Sequence, residues 1–287
     1  MRYLILFCVL FLSTRLFAAP QTQDWVSDRL QQEQEQTKNP FLISFYKPNY
    51  LLPFSYTTSP YHAFYNGKTP DNQKLMRAEF NFQLSFKVPV WHDVFGTNST
   101  LYAAYTQKSF WQAYNNSAFF RATNYEPELF LSYTIDTPVF AGWRAKFLNA
   151  GFVHESNGQG GVLERTWNRV YVESILANRH WMARVKLWLP IKDSGLRKYN
   201  PNIARYMGYG EFQIAYKTNN KHVFSVEARN NLISGFNRGA TKASWSFPLL
   251  DKVKGYVQVF NGYGQSLNEY NHRTSNIGIG IAINDWI

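Results

Sequence analysis

The sequence predicts an all-β fold, an antiparallel transmembrane β-barrel of about twelve strands. Aromatic residues make up 18% of the chain and charged residues only 17%, whereas charged residues are about 25% of an ordinary soluble domain. After the N-terminal segment, no apolar stretch approaches the roughly 18 residues of a membrane-spanning helix. A membrane protein without such helices is expected to be a closed barrel, because only closure pairs every backbone polar group in lipid.

The first 19 residues have the features of a secretory signal peptide. A basic start at Arg2 precedes the apolar run YLILFCVLFL, and Ala18 and Ala19 offer small residues for cleavage. The run is shorter than the roughly 20 residues of a bilayer span, which argues against the alternative of a membrane anchor. The only cysteine, Cys8, lies in this segment. The mature chain is therefore expected to have neither a disulfide nor a thiol nucleophile.

Residues 20–40 differ from the rest of the chain, because they are rich in glutamine and charge and have no strand pattern. They are predicted to form an N-terminal periplasmic or lumen-associated arm with room for a short helix. Residues 41–287 are then expected to form the barrel. The net charge of +11 suits an anionic membrane surface or nucleic acid, and the aromatic composition favours lipid as the partner.

Strict alternation of apolar and polar residues predicts the strands. In residues 79–88 (EFNFQLSFKV) the apolar side chains share one face, and Glu79 and Lys87 are among the polar side chains of the other. The same pattern occurs in 181–189, 211–217 and 224–229, so the charged face is expected to line a polar interior. Eight more segments are predicted strands: 50–57, 99–107, 126–134, 144–153, 166–174, 241–247, 254–261 and 275–285.

Turn-forming residues separate these segments. Turns are predicted at Pro70-Asp71-Asn72, Asp136-Thr137-Pro138 and Asn219-Asn220. In the last strand the small residues Gly278, Gly280 and Ala282 are expected to face inward and to leave room for bulky neighbours. A soluble β-sandwich is the alternative fold; it needs the alternation but not the aromatic content.

One segment has a pattern that suits nucleophilic catalysis. His154 and Ser156 are two residues apart on a predicted strand, so both side chains point the same way. A serine nucleophile needs a neighbouring base, and the base needs a third group that fixes its tautomer. Asn168, on the next strand, could supply that group. Parity places all three on the apolar, lipid-facing side, whereas Glu155 would face inward, towards Arg169.

The pair His-x-Ser alone is a weak signal in a chain of this composition, so longer strings decide the interpretation. These strings are HESNG (154–158), RTWNR (165–169), YTQKS (105–109) with WQ (111–112), TNYEP (123–127), NP (200–201), YMGY (206–209), GYG (262–264) and ND (284–285). Through them the sequence resembles the outer membrane phospholipase A family, and the resemblance covers nearly all of the chain from about residue 40.

The resemblance implies a twelve-stranded barrel of the bacterial outer membrane, active as a calcium-dependent homodimer. It implies hydrolysis of the sn-1 and sn-2 acyl esters of phospholipids and lysophospholipids. The catalytic triad would be Ser156, His154 and Asn168, and the backbone N–H of Gly158 would contribute to the oxyanion hole. An asparagine can accept the histidine N–H, although it stabilises the imidazolium less than a carboxylate would.

The resemblance also implies a calcium site, and here the sequence departs from the family pattern. The ligands would be the backbone carbonyl of Gln159, the side chain of Glu164 where the family has serine, and Ser117 of the partner subunit. Gly161 replaces the aspartate of a second family site, so one Ca²⁺ per active site is expected. A glutamine of the family's dimer interface corresponds to Gln107.

Two alternatives to the enzyme hypothesis stay open at this point. A passive porin-like or structural barrel would share every barrel feature described above. A barrel that binds peptidoglycan or another partner through residues 20–40 is the second alternative, and that segment has no clear motif. No nucleic-acid partner is expected.

Overall fold

The computed structural model describes residues 24–36, 43–191, 198–230, 234–235 and 237–285. Antiparallel strands dominate this part of the chain. They are β1 (Ser44–Phe45), β2 (Asn49–Thr57), β3 (Ala78–His92), β4 (Ser99–Gln112), β5 (Phe119–Phe140), β6 (Trp143–Ser156), β7 (Thr166–Asn178), β8 (Trp181–Pro190), β9 (Gly210–Lys217), β10 (Val223–Asn230), β11 (Gly239–Leu250), β12 (Val253–Tyr263) and β13 (Arg273–Asn284).

The sheet closes on itself. Each strand from β2 to β13 pairs with its chain neighbours, and β13 pairs with β2 to complete the ring. The two-residue strand β1 pairs with β3 at Phe86 and Lys87, just beyond the residues that β2 pairs with. The wall therefore contains twelve antiparallel strands, which confirms the predicted fold class. Each of the twelve predicted strands corresponds to a different strand of the wall, from β2 to β13.

The predicted turn at Asp136-Thr137-Pro138 is wrong. Strand β5 continues through these residues to Phe140, and the chain reverses at Ala141 and Gly142. The register with β6 shifts twice in this stretch, so bulges accommodate the turn-forming residues within the strand. Arg144 of β6 holds the strand in place, because its Nε donates to Asp136 Oδ1 at 2.7 Å.

The interior is polar and its charges are paired, as the alternation predicts. Arg121 Nε lies 2.6 Å from Glu79 Oε2, and Arg184 Nη1 lies 3.0 Å from Glu173 Oε2. All four side chains are buried in the wall of the lumen. A buried charge is tolerated only when it is paired and hydrogen-bonded, so these bridges are needed for the barrel to fill its interior with polar groups.

Small residues of the last strand make room for larger ones, as predicted. A Cβ added to Gly278 would lie 2.7 Å from Leu52 Cδ1, and Leu52 is completely buried. The opposite face of β13 is apolar and exposed, because Ile277 and Ile279 expose 42% and 51% of their surface. The strand therefore has a tightly packed inner face and an outer face suited to lipid.

A helix near the N-terminus packs inside the barrel. In α1 (Trp25–Gln36), Trp25 and Val26 contact the inward-facing Met182 and Ala215. Asp24 just before the helix forms an ion pair of 2.8 Å with Lys146. The described part of the predicted arm is thus associated with the lumen. The predicted signal peptide, residues 1–19, lies outside the described residues, and the domain boundaries stay predictions.

The two ends of the barrel differ. Five short connections, 93–98, 141–142, 179–180, 218–222 and 251–252, lie at one end, whereas longer connections at the other end include 58–77, 157–165 and 264–272. These connections contain α2 (His62–Tyr65), α3 (Ile203–Met207) and short 3-10 turns. In outer-membrane barrels the long loops are extracellular and the short turns periplasmic. No helix in the described part of the chain is long and apolar enough to cross a membrane.

Candidate active site

His154 and Asn168 meet across two neighbouring strands, as predicted from strand parity. Strands β6 and β7 pair so that His154 lies opposite Asn168 and Ser156 opposite Thr166. His154 Nδ1 lies 2.7 Å from Asn168 Oδ1. Because an amide oxygen only accepts hydrogen bonds, this contact places the ring proton on Nδ1 and leaves Nε2 of the neutral ring free to take a proton.

All three predicted catalytic side chains lie on the outer wall. Their neighbours of the same parity, Phe152 and Val170, expose 41% and 45% of their surface, whereas Val153 and Arg169 between them are buried. His154, Ser156 and Asn168 themselves are half-buried. In the described part of the chain, no hydrogen bond joins the Ser156 hydroxyl to the His154 ring. Such contacts are often long in a free enzyme and shorten when substrate binds.

Glu155 lies between the two residues in sequence but points into the barrel, as predicted. Its Oε2 accepts from Arg169 Nη2 and from Trp167 Nε1, both at 2.8 Å. Its Oε1 accepts from Asn124 Nδ2 at 3.2 Å. These contacts link β5, β6 and β7 directly behind the catalytic face. Glu155 is therefore an anchor of the wall that holds His154 and Asn168 in register.

Gly158 occupies a position that other residues would strain. Its φ of +66° lies in the left-handed region, and an added Cβ would lie 2.7 Å from Cε2 of the Tyr125 ring. Tyr125 is the cross-strand neighbour of Ser156 on β5. The chain thus turns sharply just after Ser156 and passes close beneath an aromatic ring. This turn sets the direction of the Gly158 backbone N–H, to which the family resemblance gives the role of oxyanion donor.

The loop after Ser156 is organised by Asn157, which the sequence analysis missed. Asn157 Oδ1 accepts from the N–H groups of Gln159 at 3.2 Å and Arg165 at 3.0 Å. Its Nδ2 donates to the carbonyl of Leu163 at 2.7 Å. One buried amide therefore joins both ends of the connection 157–165. The only available signal was its inward parity directly after the serine.

Arg165 caps the end of the same loop. Its Nη1 donates to the carbonyls of Glu164 and Val162 at 2.6 and 3.1 Å, and its guanidinium lies 4.9 Å from the centre of the Phe64 ring. Burial lowers the pKa of Arg165 and raises that of nearby Tyr270. An arginine stays protonated in spite of such a shift. The loop thus keeps a cation beside the predicted calcium ligand Glu164.

The predicted calcium ligands are divided between two loops. Gln159 and Glu164 lie in the connection 157–165, where Gln159 is exposed and Glu164 half-buried. Ser117 lies in the connection between β4 and β5, where its hydroxyl donates to Asp71 Oδ2 at 2.7 Å. No hydrogen bond joins Ser117 to Gln159 or Glu164 within the described residues. Among these residues, no group of three His, Cys, Asp or Glu side chains could hold a metal.

The chemistry of this donor set nevertheless fits calcium. A backbone carbonyl, a carboxylate and a hydroxyl are all oxygen donors, which hard cations such as Ca²⁺ prefer. The connection 157–165 offers two of them in one chain, at Gln159 and Glu164. Because Ca²⁺ takes about six to eight oxygen ligands, the donor set requires water and a further protein surface to be complete. The predicted contribution of Ser117 from a second chain would meet part of that need.

Gln107 lies on the outer wall close to the candidate triad. On adjacent strands it pairs with Tyr125, which in turn pairs with Ser156. Neighbouring strands are about 4.8 Å apart, so the backbones of Gln107 and Ser156 are separated by roughly 10 Å. Among the described residues, its amide forms hydrogen bonds only within its own strand: Oε1 accepts from Tyr105 Oη at 3.0 Å, and Nε2 donates to Ser109 Oγ at 3.1 Å.

Comparisons with known proteins agree on one family. A model of the family described as Phospholipase A1 matches residues 26–283. Among curated proteins, a phospholipase A1 from Klebsiella pneumoniae is 37% identical over 250 residues, which are 86% of this chain and 84% of that protein. The family model therefore covers all of the barrel wall except the last residue of β13, and it includes both strands of the candidate site.

Solved structures resemble the fold over nearly the same length. The outer membrane phospholipase dimer with bound calcium from Salmonella typhi matches with a TM-score of 0.80 and 35% identity, covering 87% of this chain and 95% of that one. An active-site mutant of outer membrane phospholipase A from Escherichia coli, with alanine in place of an asparagine, matches with a TM-score of 0.79 and 35% identity, covering 87% and 94%. The sequence identity therefore accompanies the structural similarity over most of the chain.

Proposed function

The chain belongs to the phospholipase A1 family, and from this premise we propose that it is a calcium-dependent phospholipase with a Ser-His-Asn triad. Membership makes it an enzyme that hydrolyses carboxylic esters and a protein of the bacterial outer membrane. The proposed substrates are the sn-1 and sn-2 acyl esters of phospholipids and lysophospholipids. The observation that carries the proposal is the 2.7 Å contact between His154 and Asn168 on the lipid-facing wall, two residues from Ser156.

The proposed mechanism assigns one task to each side chain. His154 Nε2 takes the proton of Ser156 Oγ as this oxygen attacks the ester carbonyl. The Nδ1–H of His154 donates to Asn168 Oδ1, which fixes the ring and its tautomer as the imidazolium forms. His154 then gives the proton to the leaving lysophospholipid oxygen. A water, activated by the same ring, releases the fatty acid from Ser156.

Negative charge develops on the carbonyl oxygen during attack, and the turn at Gly158 is proposed to stabilise it. A backbone N–H held in a fixed orientation needs no rearrangement as the charge appears, which makes such donors a large part of catalysis. The left-handed φ of Gly158 and the Tyr125 ring against it support a rigid turn. Because the site is on the outer wall, an acyl chain can reach Ser156 directly from the membrane.

Calcium is proposed to bind beside this turn, one ion per active site. The Gln159 carbonyl and the Glu164 carboxylate would hold it, together with Ser117 of a second copy of the chain. Bound there, the ion would supply positive charge near the developing oxyanion. A carboxylate at position 164 is a strong ligand for a hard cation. Gly161 offers no side chain for a second ion, so none is proposed.

The active form is proposed to be a homodimer with Gln107 at the interface. An amide on a lipid-facing wall has no water partner, so it gains from a hydrogen bond across an interface. In the part of the chain that the structure describes, the hydrogen-bond partners of the Gln107 amide are Tyr105 and Ser109 of its own strand. The Salmonella typhi relative is described as a dimer with bound calcium, which supports the same arrangement here.

Replacing Asn168 with alanine tests the third member of the triad. The ring of His154 would lose the hydrogen bond to Asn168 Oδ1 that orients it. We therefore expect the rate of fatty-acid release to fall by about 10²-fold. Residual activity is expected, because Ser156 and His154 stay in place. The measurement is the initial rate from phospholipid–detergent micelles with calcium. Asn178→Ala removes one amide contact, to the Ala141 carbonyl at the far end of β7, and is the matched control.

The same assay separates the enzyme from a porin-like or structural barrel. If the wild-type protein with calcium releases no fatty acid, the proposed function is wrong. If Asn168→Ala is as active as the wild type, Asn168 is not part of the triad.

A further inference from the structure

We propose that Asn157 and Asn268 form an asparagine clamp that positions the connection 157–165 for catalysis. This inference rests on the proposed function, because the clamp would act through Gly158, Gln159 and Glu164. Neither asparagine reaches the outer wall, since Asn157 exposes 5% and Asn268 1% of its surface. Both are therefore positioning residues.

The two side chains of the clamp bond to each other. Asn157 Nδ2 donates to Asn268 Oδ1 at 2.7 Å. Asn268 Nδ2 donates in turn to Tyr65 Oη at 3.0 Å and to the carbonyl of Arg121 at 3.2 Å. The clamp therefore connects the loop after Ser156 to the loop between β12 and β13, to α2 and to the wall at β5.

The base of the clamp is rigid. Arg121 binds both carboxylate oxygens of Glu79, at 2.6 and 2.8 Å, and lies 2.9 Å from Glu269 Oε2. Glu269 follows Asn268 directly, and all these side chains are buried. A buried, bidentate arginine pair has a fixed geometry. Asn268 thus lies beside a buried ion-pair network and donates to the backbone carbonyl of one of its members, Arg121.

The loop above the clamp lacks packing of its own. Gly160 and Gly161 are exposed, and Val162 exposes 67% of its surface. Its shape depends on Asn157, whose Oδ1 accepts from the N–H groups of both Gln159 and Arg165. The backbone N–H of Asn157 also donates to the carbonyl of Arg165 at 3.0 Å. Without the side chain of Asn157, this backbone bond stays, but the hydrogen bonds to Gln159, Leu163 and the N–H of Arg165 are lost.

Loss of the clamp is expected to affect turnover more than lipid binding. Gly158, Gln159 and Glu164 all lie between the residues that Asn157 joins, so a looser loop displaces the oxyanion donor and the calcium ligands together. The outer face that is proposed to contact the acyl chain is formed by β5, β6 and β7, and the pairing of these strands through their backbones does not depend on the clamp. We therefore expect kcat to fall while KM for the lipid changes little.

Asn157→Ala and Asn157→Asp test the clamp in the full-length protein. The aspartate keeps the volume and the acceptor oxygen but loses the donor to Asn268. We expect Asn157→Ala to lower kcat by about 10²-fold with KM changed less than about threefold. The calcium concentration for half-maximal activity should rise at least about tenfold. Asn268→Ala should reproduce both effects, and the double variant should be no worse than Asn157→Ala.

A second measurement does not depend on activity. Amide hydrogen exchange of the segment 157–165 should speed up in Asn157→Ala, with the amides of Gln159 and Arg165 affected most. The melting temperature of the barrel should stay close to that of the wild type, because the wall is closed by strands that the variant leaves intact. Asn178→Ala, at the far end of β7, should change none of these quantities.

Two outcomes overturn the clamp. One is that Asn157→Ala has the kcat of the wild type and needs the same calcium concentration for half-maximal activity. The other is a loss of activity that follows a lower melting temperature without faster exchange in the segment 157–165. If Asn157→Ala does not fold, the same criteria apply to Asn157→Asp and Asn268→Ala. An active Ser156→Ala would instead refute the proposed function, so the two failures are distinguishable.

Discussion

Replacing Ser156 with alanine is expected to lower the rate of fatty-acid release by about 10⁶-fold, as removal of a serine nucleophile does elsewhere. Alanine leaves no oxygen to form the acyl-enzyme, and the Gly158 turn can then assist only the direct attack of water. The measurement is the initial rate of release from phospholipid micelles with saturating calcium. Both sn-1 and sn-2 products should disappear together, because one nucleophile serves both esters.

The matched control is a second serine-to-alanine substitution on the same outer wall. Ser174 lies on β7 with the same parity as Asn168, and its hydroxyl donates to the Phe147 carbonyl at 3.2 Å. Ser174→Ala should keep wild-type activity. If Ser156→Ala retained more than a trace of activity while folding as the wild type does, another residue would have to be the nucleophile.

Removing calcium is expected to abolish activity without unfolding the barrel. Loss of an electrostatic contribution at the oxyanion typically costs about 10²- to 10³-fold in rate. The wall should survive, because it is closed by backbone hydrogen bonds and internal ion pairs such as Arg121–Glu79. The measurement is the release rate in excess chelator beside the melting temperature, followed by restoration with added Ca²⁺.

A variant of the proposed ligand sharpens this test. Glu164→Gln removes a charged oxygen donor and should raise the calcium concentration needed for half-maximal activity. Asp251→Asn removes a carboxylate from the short turn between β11 and β12, and it should leave that concentration unchanged. Full activity of the wild type in excess chelator would disprove calcium dependence.

Much of the barrel could be predicted because a transmembrane strand shows its two faces in its sequence. The alternation in 79–88 corresponds to β3, and the isoleucines of the last segment lie on the outer face of β13. The bulged continuation of β5 could not be predicted, since Asp136 and Pro138 are turn formers whose strand conformation depends on pairing with β6. The pairing of β1 with β3 likewise depends on a distant partner.

The candidate site could likewise be predicted in part. Parity alone placed His154 and Asn168 on one face, and the antiparallel register brings them into contact. Asn157 gave almost no signal, because its role depends on Asn268, 111 positions further along the chain. Ser117 is proposed to act from a second copy of the chain, and within one chain its hydroxyl contacts Asp71 instead.

The most direct test of the triad on the lipid-facing wall is the site of covalent labelling. A long-chain sulfonyl fluoride reacts with an activated serine, and peptide mass spectrometry identifies the modified residue. With calcium present, we expect a single adduct on Ser156 and a much slower reaction in His154→Ala. Labelling of another residue, or equal rates with and without His154, would contradict the proposed mechanism.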